Sequence, residues 1–168
     1  MATLLKTATF SGSNGSHFYI ELHYELLEQV AATKTSKVKY YLYVGSYDVY
    51  KGSGTASTGY INGVAVGSVT SIESYSKKLV GTRTETLTHD KEGKCSPSYS
   101  ANFTTPWTGV NSSSLSGSYD LPTIDIVSKL HIKIDGVWKE ATPYIKADGA
   151  WKEVTPYLKV NGVWKESA

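Results

Sequence analysis

Three tryptophans, Trp138, Trp151 and Trp164, stand thirteen residues apart in the last third of this 168-residue chain, each inside a copy of one short unit. The copies read IDGVWKEATPY at 134–144, ADGAWKEVTPY at 147–157 and VNGVWKESA at 160–168. An indole presents a flat apolar face, so a regular series of them can stack on the sugar rings of a wall polymer or on another protein. Tyr144 and Tyr157, each next to a proline between copies, carry the same ambiguity. The competing role is packing. A unit this short cannot fold as a domain and must bury its apolar face against neighbouring copies or a partner chain.

The elements that position these rings follow from Asp135-Gly136, Asp148-Gly149 and Asn161-Gly162, pairs suited to the positive φ angles of a two-residue type I′ hairpin. Register is then determined. Ile134 opposes Val137, Lys133 opposes Trp138 and Ile132 opposes Lys139; Ala147 opposes Ala150 and Val160 opposes Val163; Lys146 faces Trp151 and Lys159 faces Trp164. One face of each hairpin is aliphatic and the other a ladder of Trp and Lys. Such cross-strand pairs contribute roughly 0.2–1 kcal/mol each, and a lone hairpin stays marginal. Pro143 and Pro156 remove a ladder donor between copies, so three hairpins turned relative to one another are expected. A prism around the aliphatic faces, within one chain or across a trimer, is the expectation; a flat continuous meander is its competitor.

Elsewhere the chain offers little that selects a reaction. It has no Gly-x-Ser-x-Gly elbow, no His-Glu-x-x-His pair and no phosphate-cradling glycine loop, so no enzyme is expected. His17 and His23 read as members of a solvated strand face beside Glu21 and Glu25, His89 as a turn residue, and His131 as the cross-strand partner of Glu140. A glycosidase would need two carboxylates at a defined separation, and nothing in the sequence singles out two. Cys95 is the lone cysteine, which rules out an internal disulfide or a cysteine-based zinc site and reads as an incidental thiol. No metal or cofactor is expected. A net charge of +2 without a dense basic run leaves no footprint for nucleic acid. The start Met1-Ala2-Thr3-Leu4-Leu5-Lys6 lacks the pattern of a secretory signal, and no stretch reaches the roughly 20 apolar residues of a membrane span. Synthesis in a cytoplasm without membrane insertion is the expectation.

The first 124 residues are read as strands. Phe18, Ile20, Leu22, Tyr24 and Leu26 alternate with Tyr19, Glu21, His23 and Glu25, a period of two. Val38, Tyr40, Leu42 and Val44 repeat the pattern after a polar turn at Thr33 to Ser36, and Asn62-Gly63 predicts a tight hairpin. Lys77 to His89 reads as a longer, more exposed strand. Asp90 to Gly93 then makes a turn, Tyr99, Ala101 and Phe103 alternate inward, and a last strand carries Leu115, Tyr119 and Leu121 up to Pro122. Glu25 to Ala32 has weak helical spacing, and Ser11 to Ser16, Lys51 to Ser57 and Thr104 to Ser114 read as loops. Seven or eight short strands give an all-β fold, an antiparallel β-sandwich over 1–124 followed by a three-hairpin module over 125–168.

Two segments carry a resemblance. His89-Asp90-Lys91-Glu92-Gly93 leading to Tyr99-Ser100-Ala101, and Gly117-Ser118-Tyr119-Asp120-Leu121-Pro122-Thr123-Ile124, resemble immunoglobulin-like sandwich domains of structural proteins from tailed bacteriophages of Gram-positive hosts. The Asn/Asp-Gly-x-Trp-Lys-Glu repeats look like those that close many phage tail and virion-surface proteins. The resemblance covers most of the chain through short motifs, and Asp125 stands where such proteins commonly carry Arg. It implies an Ig-like fold, a virion location, other virion proteins as partners, a homo-oligomer, and contact with the host surface. A carbohydrate-binding module, reading a bacterial wall glycan through Trp138, Trp151, Trp164, Tyr144 and Tyr157, is the alternative.

Overall fold

The computed structural model describes the backbone of residues 1–125, 130–154, 157–160 and 162–166. The chain divides into two compact units, Met1–Ile124 and Asp125–Ala168. The first holds β1 (Thr3–Thr9), β2 (Phe18–Val30), β3 (Thr35–Ser46), β4 (Gly52–Ile61), β5 (Val64–Ile72), β6 (Lys77–Thr88), β7 (Ser98–Thr104) and β8 (Ser112–Ser118). These form two antiparallel four-stranded sheets, ordered β1-β2-β3-β6 and β5-β4-β7-β8. The fold is all-β and sandwich-like, as the period-two alternation predicts. No helix of the described residues is long and apolar enough to cross a membrane.

The alternation of β2 and β3 builds the core. Ile20, Leu22, Val38, Tyr40, Leu42 and Val44 are all 0% exposed, each contributing about 1.5–3 kcal/mol if an aliphatic side chain is fully buried. The second sheet answers with Ile61, Val69, Ile72, Tyr99, Ala101, Phe103 and Leu115, and Trp107 closes one end against Phe18 and Phe103. Asn62 (φ 48°) and Gly63 (φ 76°) form the tight turn between β4 and β5.

Several local readings change. The stretch with helical spacing, Glu25 to Ala32, is strand through Val30, because Glu28, Gln29 and Val30 pair with Lys37, Ser36 and Thr35 after a bulge at Leu26/Glu28. Tertiary pairing overrides a weak local pattern. The turn lies at Ala31–Thr33 with Lys34 in the left-handed region, two residues earlier than read. Lys51 to Ser57 is not a loop beyond its first residue, since β4 begins at Gly52, and the Thr104 to Ser114 loop ends where β8 starts at Ser112. Tyr119 and Leu121 lie past the end of β8.

His89 closes the turn that follows β6, and it does so from a buried position. It is 4% exposed. Its Nδ1 donates to the Gly93 carbonyl and its Nε2 accepts from Ser36 Oγ, both at 2.7 Å, while Gln29 donates to the same hydroxyl at 3.1 Å. Asp90 Oδ1 accepts from the Glu92 and Lys94 amides, so the turn is held from both sides. Gly93 then pairs with Ile124, whose amide donates to the Gly93 carbonyl at 2.9 Å. The two segments that carry the family resemblance are therefore hydrogen-bonded to each other.

Sheet edges are templates for aggregation unless covered. On one side Gly67 and Gly81 let β5 and β6 approach so closely that a Cβ on Gly81 would lie 2.0 Å from the Val66 carbonyl oxygen. On the other, Ser113 Oγ donates to the carbonyls of Ala8 and Thr9 and Lys6 Nζ to that of Ser116, joining β8 to β1.

The second unit holds three separate two-stranded sheets: β9 (Leu130–Ile134) with β10 (Val137–Ala141), β11 (Tyr144–Ala147) with β12 (Ala150–Glu153), and β13 (Tyr157–Val160) with β14 (Val163–Glu166). It is not a continuous meander.

Gly81→Ala is expected to cost about 2–3 kcal/mol by forcing two backbones apart, whereas Gly63→Ala, with nothing within 4 Å, meets only the positive-φ penalty of about 1–2 kcal/mol. Urea denaturation midpoints at unchanged slope measure both. Equal losses would remove the close-approach argument.

Candidate functional site

Each hairpin has the register that its turn dictates. Val137 opposes Ile134, Trp138 opposes Lys133 and Lys139 opposes Ile132. Trp151 opposes Lys146 and Ala150 opposes Ala147; Trp164 opposes Lys159 and Val163 opposes Val160. Asp135 (φ 51°) with Gly136 (φ 81°) and Asp148 (φ 53°) with Gly149 (φ 80°) show the two positive φ angles of a type I′ turn. His131 stands opposite Glu140, as read. The side chain of Trp164 lies outside the described residues.

The register also decides which residues share a face. Tyr144 opposes Glu153 two places from the Lys146–Trp151 pair, so Tyr144 and Trp151 occupy one face of their hairpin. Tyr157 stands in the same relation to Trp164, opposite Glu166. In the first hairpin His131 takes the position that tyrosine holds in the other two.

These faces are open. Trp138 is 66% exposed and Trp151 69%, with Tyr144 and Tyr157 at 52%. The aliphatic faces are open too: Ile132, Ile134, Val137 and Ile145 are all exposed. Lys133 Nζ lies 5.9 Å from the Trp138 ring centroid, a cation–π contact of about 0.5–1 kcal/mol at an exposed site. It holds the indole in place without covering it. Lys152 pairs instead with Asp148 across the turn, at 3.5 Å.

His17 and His23 of the first unit are engaged by carboxylates. His17 Nδ1 lies 2.5 Å from Asp48 Oδ2, and its ring stacks on Tyr50 with centroids 3.7 Å apart. His23 Nε2 lies 2.9 Å from Glu21 Oε2, which also accepts from Lys77 Nζ at 3.0 Å. This face is half-buried rather than fully solvated: the side chains of His23 and Glu21 are 16% and 17% exposed. Tyr19 and Tyr47 pack beside it with ring centroids 4.3 Å apart, and Gly45 leaves the space that the Tyr19 ring fills. Burial alone would raise the Glu21 carboxyl; hydrogen bonds from His23 and Lys77, with the Lys77 charge, outweigh it and hold the group below the usual range. Among the described residues, no three His, Cys, Asp or Glu side chains form a metal-binding group. Burial pushes the half-buried Cys95 thiol up, away from the thiolate that nucleophilic chemistry needs.

One concavity escaped the sequence reading. Beside the three-residue contact of β4 with β7, a shallow, open depression of about 440 Å³ lies against Thr55–Thr58 and Thr104–Pro106. Taking Lys51 to Ser57 for a loop hid it, because a depression beside diverging strands is legible only once the strands are placed.

Because the Glu21 carboxyl is depressed in the fold, its stabilising contribution is present above the ordinary carboxylate pKa and lost as pH falls through the lowered value. Chemical denaturation between pH 7 and pH 3 is expected to show a shallower acid loss of stability in Glu21→Gln than in the wild type. Identical pH profiles would remove Glu21 from the acid response. In comparisons with protein-family models, curated proteins and solved structures, nothing matches this chain.

Proposed function

We propose that this chain is a non-enzymatic structural component of a tailed-phage virion, in which the hairpin unit is the adhesive part. The observation that carries the reading is the open aromatic series, with Trp138 and Trp151 about two-thirds exposed on hairpins of identical register. Large exposed apolar patches mark interaction surfaces. Three copies at fixed spacing suit several weak contacts made together, and multiplicity raises avidity without requiring one strong site. A particle that displays many chains multiplies that gain again. The family resemblance of 89–124 and of the repeats supports a virion setting, with other virion proteins and further copies of this chain as partners.

A second reading has its own support. Lys133 steadies the Trp138 ring while the indole stays largely solvent-facing, the arrangement wanted for stacking on a sugar ring. On that reading the module binds a bacterial wall glycan by itself, without a particle.

Purified protein is expected to sediment with intact Gram-positive cell walls, and a folded Trp138→Ala, Trp151→Ala, Trp164→Ala variant to stay in the supernatant. Circular dichroism and the denaturation midpoint of the first unit check the fold. A wild type that does not sediment overturns the host-contact reading and directs attention to partner proteins of the particle.

A further inference from the structure

The aromatic face of the second hairpin carries its side chains in two rows. Lys146 stands opposite Trp151 beside the turn, and Tyr144 stands opposite Glu153 one row further out. All of them are exposed, Tyr144 by 52% and Trp151 by 69%. The charges occupy one diagonal of this square and the rings the other. Diagonal neighbours on a sheet face lie about 7–8 Å apart, and here the charged diagonal does not close. Lys146 and Glu153 form no ion pair among the described residues, whereas Lys152, on the opposite face, takes Asp148 at 3.5 Å.

The same diagonal is written into every copy. Lys133, Lys146 and Lys159 each oppose a tryptophan, and Glu140, Glu153 and Glu166 each stand two places beyond that tryptophan, opposite His131, Tyr144 and Tyr157. Positions on the other face vary more: Ile134, Ala147 and Val160 share one of them, and Val137, Ala150 and Val163 another.

We propose that this face is the contact surface for a second copy of the chain, hairpin on hairpin about a two-fold axis. The inference rests on the reading of the hairpin unit as the adhesive part, and it names the occupant of the aromatic face. The charge pattern is self-complementary in one orientation. When two such faces meet about an axis along the Tyr144–Trp151 diagonal, Lys146 of each copy meets Glu153 of the other, while Trp151 meets Trp151 and Tyr144 meets Tyr144. A two-fold contact requires such a pattern, since each patch must complement itself. About the other diagonal, lysine would meet lysine and glutamate glutamate, so charge selects the register. The strands of the two sheets then cross at near right angles, one of the two ordinary ways for sheets to stack. Both rings are covered, and each charge gains the partner that it lacks within its own hairpin. Other occupants use less of the face. A neutral sugar would stack on the indole and leave both charges idle, and a strand added to a hairpin edge would bond through the backbone, indifferent to Lys146 and Glu153.

The test is equilibrium ultracentrifugation of the full chain and of two charge variants, Lys133→Glu, Lys146→Glu, Lys159→Glu and Glu140→Lys, Glu153→Lys, Glu166→Lys. The wild type is expected to associate as concentration rises, and to do so less in about 1 M salt than in about 0.1 M. Each variant alone is expected to associate about tenfold more weakly or not at all, because the exchange sets like charges against each other. Mixed in equal amounts, the two are expected to recover the wild-type association, since every glutamate of one again meets a lysine of the other. A chain that carries both sets of exchanges keeps the complementarity and is expected to associate as the wild type does, which separates loss of the contact from loss of the hairpins. The proposal is overturned if the wild type stays monomeric, if either variant associates undiminished, or if neither the mixture nor the doubly exchanged chain restores association. A wild type that sediments with cell walls yet stays monomeric overturns this inference alone and leaves the host-contact reading standing.

Discussion

A β-sheet has two faces, and a chain can dry only those faces that it can stack on something else. The first unit meets this constraint by setting two four-stranded sheets against each other, so the apolar halves of β2 and β3 reach complete burial. Among the described residues of the hairpin unit, built from separate two-stranded sheets, side chains on both the aliphatic and the aromatic faces are exposed. That constraint divides the protein into a part with its own buried core and a part made of separate two-stranded sheets, which are marginal alone.

The sandwich spends its less regular residues on closure. Gly67 and Gly81 let two backbones meet where side chains would hold them apart, and Ser113 and Lys6 tie the opposite edge with hydrogen bonds to carbonyls. His89 performs a related task inside, linking Ser36 on β3 to the turn at Gly93, and Gly93 in turn pairs with Ile124. The turn from His89 to Gly93 and the segment ending at Ile124, separated in sequence, are the two halves of one fastening.

Charge in the first unit is used in the same local way. Glu21 gathers His23 and Lys77, Glu85 accepts from Arg83 and from Asn62, and Asp48 meets His17. Each histidine of these pairs is engaged with a carboxylate. The places where polar groups stay unpaired, Ser57 and Trp107, lie instead beside the bulge of β4.

Local pattern alone was enough for much of this architecture. The alternation of Phe18 to Leu26 and of Val38 to Val44 is a property of a few neighbouring residues, and so is the two-residue turn that sets every Lys and Trp pair of the repeats. Those features are legible because the period of a strand and the φ preferences of Asp-Gly act over short distances. The burial of His89 and the divergence of β4 from β7 depend on partners distant in sequence, Ser36 for His89 and Phe103 for Gly59, and the extension of β2 through Val30 depends on its pairing with the next strand at Thr35. A weak helical spacing and a glycine-rich stretch gave no sign of those partners. Which strands meet, and where a meeting stops short and leaves a depression, was decided by the folded chain, because pairing between remote segments is a property of their joint geometry and of neither segment alone.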